Sequence, residues 1–100
     1  MTVLVLGTVR VPPDKVAAAR DAMAAMVNAS RAEPGCIGYS YAEDVLEPGL
    51  IHVVEAWASD EALAAHFQMP HMAQWRAVWP TLGITDRNLT RYNAEEAGAV

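Results

Sequence analysis

Thr2-Val3-Leu4-Val5-Leu6-Gly7-Thr8-Val9-Arg10-Val11 decides the architecture. Its aliphatic and β-branched side chains suit a pleated strand, and Pro12-Pro13 ends it because proline cannot donate to a ladder. Side chains alternate along a strand, so Val3, Val5, Val9 and Val11 share one side while Leu4 and Leu6 take the other. An antiparallel sheet with one face in water is polar on that face; this strand is polar on neither. Residues 50–58 repeat the pattern, with Ile51, Val53 and Trp57 on one side and Val54 and Ala56 on the other. Both faces of the sheet need cover.

Outward from that strand the periodicity changes. From Asp14 the apolar residues Val16, Ala19, Met23, Met26 and Val27, with Ser30, fall on one helical stripe, and Pro34-Gly35 stops the helix. Residues 36–44 read as a strand with Tyr39, Tyr41 and Glu43 on one side, and Glu47-Pro48-Gly49 turns it back into the strand over 50–58 as an antiparallel neighbour. Ser59 is a good N-cap for a helix to about Gln68. Pro70 interrupts it, and a further helical piece carries Met72, Trp75, Arg76 and Trp79 until Pro80. Residues 82–92 supply a last strand. The order β-α-β-β-α-β predicts an α+β, ferredoxin-like domain over residues 1–93, with 94–100 as a frayed tail. Helices cover one face of such a sheet. Nothing left in the chain covers the other, so a second copy is expected to, as a symmetric homodimer.

Composition narrows the function classes. One hundred residues allow one domain, and 53% hydrophobic against 19% charged residues excludes an intrinsically disordered chain. A net charge of −5 without a basic cluster argues against nucleic acid as a partner. No apolar run approaches a membrane span and the first residues lack the pattern of a secretory signal, so no membrane partner and a cytoplasmic location are expected. Cys36 is the sole cysteine, which excludes an internal disulfide and a multi-thiolate metal site.

Three segments, Ala32-Glu33-Pro34-Gly35-Cys36-Ile37-Gly38-Tyr39, Glu55-Ala56-Trp57-Ala58-Ser59-Asp60-Glu61-Ala62-Leu63 and Ala65-His66-Phe67-Gln68-Met69-Pro70-His71-Met72, resemble the antibiotic biosynthesis monooxygenase family. The resemblance runs from the first strand to about Tyr92. It implies a dimeric αβ barrel in which each protomer keeps an apolar pocket between sheet and helices. Through the small quinol monooxygenases it implies oxygenation, by O2, of a small aromatic quinol-like or polyketide-like molecule, with no metal, flavin or other cofactor. Haem-degrading members place an Asn in the first strand, a Trp in the second helix and a haem-ligating His one turn beyond the helix break. Here Gly7, His66 and Arg76 stand at those places, which argues against haem chemistry. The fold also carries isomerases. An isomerase or tautomerase of a small carbonyl metabolite, or a small-molecule-binding protein without turnover, are the alternatives.

Oxygenation without a cofactor needs a substrate that donates an electron once ionised, so the protein must take a proton, hold an anion and exclude water. His66 is the first candidate base, because imidazole titrates near neutrality; its alternative is a structural hydrogen bond at the helix corner. Arg76 can steady an oxyanion, or else form a surface ion pair. Met72, Trp75 and Trp79 form an aromatic stripe that walls a flat-ring pocket or simply fills the core. Tyr39, His52 and His71 are the remaining candidates for contact with substrate. His66 and His71 are five residues apart across a proline, not the four of a helical zinc pair, with no acidic third ligand expected nearby, so no metal site is expected.

Overall fold

In the computed structural model, which describes all 100 residues, Val3, Val5 and Val9 of strand β1 (Thr2–Arg10) and the following Val11 are all buried on one side of the sheet. A single 3-10 turn at Pro13–Lys15 leads into helix α1 (Val16–Arg31), whose buried residues are the predicted stripe Val16, Ala19, Met23, Met26, Val27 and Ser30. Strands β2 (Cys36–Glu43) and β3 (Leu50–Trp57) form the expected hairpin. Helix α2 (Asp60–Phe67) starts where the Ser59 hydroxyl accepts the Ala62 N–H at 3.1 Å. Helix α3 (Pro70–Leu82) and strand β4 (Thr85–Ala94) complete a four-stranded antiparallel sheet of order β2-β3-β1-β4 with the helices on one face. This is the ferredoxin-like α+β fold.

Two boundaries differ from the sequence reading. Pro80 lies inside α3 instead of ending it. Without an N–H it forfeits only the bond to the Arg76 carbonyl, and both residues are exposed, which keeps the cost of that missing bond low. The helix stops at Gly83, which adopts φ 70° and lets the Ile84 N–H close on the Trp79 carbonyl at 3.1 Å. The last strand is displaced accordingly, starting at Thr85 and running to Ala94, so the chain without regular structure begins at Glu95.

Gly7 sets how closely β1 and β4 approach. A Cβ there would stand 1.9 Å from the Asn88 carbonyl oxygen, so no other residue fits without moving β4. On the face away from the helices, Leu6 sits opposite Val54 on β3, and Leu4 opposite Tyr92 on β4. Leu6, Val54 and Tyr92 remain 39%, 50% and 48% exposed, an apolar strip across three strands that this chain does not cover. No helix is long and apolar enough to cross a membrane.

Candidate functional site

A cavity of about 280 Å³ lies between the covered sheet face and the pair α2 and α3. Period-two alternation brings Tyr39 and Tyr41 of β2 to its floor, and the β2–β3 register sets Tyr39 opposite Glu55. β4 adds Arg87. The walls are His66 and Phe67 from α2 and Met72, Trp75, Arg76 and Trp79 from α3, at the three- and four-residue spacings that share a helix face. The rings pack tightly: Tyr39 and Tyr41 stack at 5.8 Å, and Trp75 meets Tyr41 and Trp79 edge-on at 6.0 and 6.1 Å.

His66 is fully buried. Its Nδ1 is 2.6 Å from Glu33 Oε2, and its Nε2 is 3.5 Å from the Tyr39 hydroxyl. A carboxylate oxygen only accepts, so Nδ1 carries the hydrogen and donates. Burial pushes the imidazole below its ordinary pKa, against a weaker upward pull from Glu33, and the ring is therefore neutral with Nε2 a free acceptor toward Tyr39. Burial likewise holds the Tyr39 phenol well above its usual range, keeping it a proton carrier rather than an anion. Glu55, buried at the cavity floor, is pushed up by desolvation and partly held back by the Trp57 indole N–H, which donates to it at 3.0 Å. The indole N–H groups of Trp75 and Trp79 are buried with no acceptor in the protein.

Six of the residues singled out from the sequence meet at this cavity: His66, Arg76, Met72, Trp75, Trp79 and Tyr39. Two do not. His52 follows the inward-facing Ile51 and precedes the inward-facing Val53, so alternation turns it to the opposite sheet face, where it is exposed and 2.7 Å from Asp44. His71 sits at the first turn of α3 and points to Glu33, its Nε2 2.7 Å from the same Oε2 that His66 uses. It edges a separate hollow of about 300 Å³ between α1 and α3, lined mostly by alanines and other apolar side chains. The expectation that no acid stands near the two histidines is also corrected. Glu33 is 33 residues from His66 in sequence, and the turn after α1 folds it between both rings. Glu55, Arg87, Phe67 and Glu33 were not among the sequence candidates. Glu55 had a readable signal, a lone charge on the strand side that otherwise carries Ile51, Val53 and Trp57.

The family model for antibiotic biosynthesis monooxygenases matches residues 2–78. A Deinococcus radiodurans structure described as a candidate antibiotic biosynthesis monooxygenase superposes with a TM-score of 0.89 at 28% identity, covering 100% of this chain and 98% of that one. A Mycobacterium tuberculosis protein gives a TM-score of 0.79 at 29% identity over 98% of this chain and 100% of its own. An uncharacterized protein of Synechocystis sp. is 35% identical over 94 residues, 94% of this chain, which spans 64% of that relative's length. With a match over more than three quarters of its length and the same ferredoxin-like sheet and helices, the chain belongs to the antibiotic biosynthesis monooxygenase family.

Proposed function

We propose that this chain is a cofactor-independent monooxygenase of a small quinol-like aromatic, working as a homodimer. The observation that carries the reading is the buried His66 imidazole, 2.6 Å from Glu33 on one nitrogen and 3.5 Å from the Tyr39 hydroxyl on the other, at the wall of an aromatic cavity. The Tyr39 oxygen accepts the substrate's phenolic proton while its own proton passes to His66 Nε2, and the imidazolium formed is stabilised by Glu33. Arg76 and Arg87, which line the same cavity, suit the phenolate left behind. The phenolate gives one electron to O2, and the phenoxyl radical and superoxide combine to form a carbon–oxygen bond. Loss of water from the resulting peroxide yields the quinone: hydroquinone plus O2 gives hydroxyquinone plus H2O. Glu55, beside Tyr39 on the neighbouring strand, suits the second hydroxyl of a quinol. Five of the ten lining residues are aromatic, which favours a flat ring over the small carbonyl metabolite of an isomerase.

Mixing metal-free protein with a panel of hydroquinones in aerated buffer is expected to accelerate oxygen uptake at least tenfold over buffer. Equal uptake for every compound would remove the reading. The dimer has its own test. The strip of Leu6, Val54 and Tyr92 is what a partner sheet would cover. Sedimentation is expected to give twice the chain mass for the native protein and a monomer for Val54→Asp.

A further inference from the structure

We infer that Glu33, His66 and His71 form a binding site for one divalent transition-metal ion, and that the ion switches off the proton relay of the reading above, on which this regulatory part rests. The three side chains come from the turn after α1, from α2 and from the start of α3, and one ligand atom from each lies within 4.8 Å of the others. Two imidazoles and a carboxylate are the donors that zinc and its neighbours favour. Glu33 Oε2 bridges His66 Nδ1 and His71 Nε2 at 2.6 and 2.7 Å, whereas ligands on one ion with bonds of about 2.0–2.1 Å stand roughly 3.3 Å apart. Opening each O···N distance by less than about an ångström, with the two imidazole nitrogens brought to the same spacing, converts the hydrogen-bonded cluster into a coordination shell.

The second carboxylate oxygen points to the same occupant. The Glu33 side chain is only 4% exposed, and its Oε1 is buried with no hydrogen-bond partner, a costly state for a carboxylate that a cation relieves. His71 is 19% exposed and gives the ion a way in. The consequence for His66 follows from its two nitrogens. An ion on Nδ1 displaces the hydrogen there, the neutral ring carries it on Nε2 instead, and Nε2 can no longer accept a proton from Tyr39.

Titration of the metal-free protein with Co2+ followed by visible absorption, and with Zn2+ by calorimetry, tests the site without reference to turnover. One equivalent is expected to bind with the intense bands of low-coordinate Co2+. Affinity is expected to fall at least 100-fold in His71→Ala and in Glu33→Gln, each checked for a native far-UV spectrum, and to be unchanged in the control His52→Ala. No spectral change up to millimolar Co2+, or binding that survives both variants or is lost with His52, would overturn the site. If the site binds as expected, Zn2+ is expected to inhibit hydroquinone oxidation in the native protein and not in His71→Ala. Equal inhibition of both would overturn the regulatory part while leaving the oxygenase reading intact.

Discussion

Glu33→Ala is expected to lower the unfolding free energy of the metal-free protein by about 3 kcal/mol. Glu33 is buried and accepts from two imidazole N–H groups at one oxygen. Alanine leaves the His66 N–H without an acceptor where water does not reach, at about 1–3 kcal/mol for a buried unsatisfied donor, and adds the void of the missing carboxyl. His71 loses less, because its partly exposed ring regains water. Glu33→Gln separates the parts: its amide oxygen can accept from both rings, and the loss is expected near 1 kcal/mol. In a domain of this length a loss of 3 kcal/mol corresponds to a fall in Tm of roughly 12–24 °C. Thermal and urea melts at fixed protein concentration measure it, and equal stability of Glu33→Ala and the native protein would show that the cluster does not hold the helix corner.

The same residue shows where the sequence is and is not legible. Strand and helix patterns depend on neighbours within a few positions, and both the alternation in residues 2–11 and the stripe from Val16 to Ser30 carried over into the fold as read. Once α3 is a helix, residues 72, 75, 76 and 79 must share a side, so the aromatic wall was legible too. The meeting of Glu33 with His66 and His71 was not, because it depends on how the turn after α1 sits against the break between α2 and α3, and no local spacing encodes that. Pro80 misled for a related reason: a proline on the solvent side of a last helical turn costs little, and only the packing around it shows which side that is. His52 shows the opposite case. Its neighbours Ile51 and Val53 assign it to the uncovered face by alternation alone, whereas whether that face meets a partner is a property of two chains.

The second large effect falls on turnover. Tyr39→Phe is expected to reduce kcat for hydroquinone oxidation on the order of 100-fold while changing KM little. The phenylalanine ring keeps the stack on Tyr41 at 5.8 Å and the edge contact with Trp57 at 6.2 Å, so the floor of the cavity retains its shape. What disappears is the hydroxyl that stands between the cavity and His66 Nε2. At 3.5 Å that contact is long, as catalytic hydrogen bonds often are before substrate arrives, and the relay requires it to shorten when the substrate's O–H donates from the other side. His66 and Tyr39 are both buried at the cavity lining, and since the proposed relay reaches Nε2 through the Tyr39 oxygen, the loss of that oxygen is expected to cost as much as the loss of the base. His66→Gln should therefore lower kcat to a similar degree, and the double variant should be no slower than either single one, the signature of two groups that act as a unit. Thermal stability distinguishes this from damage to the fold, since deleting one weakly bonded hydroxyl costs only about 1 kcal/mol. A Tyr39→Phe protein with native kcat would mean that the proton leaves by another path, with Glu55, a cavity-lining carboxyl whose pKa burial pushes up, as the group to test next.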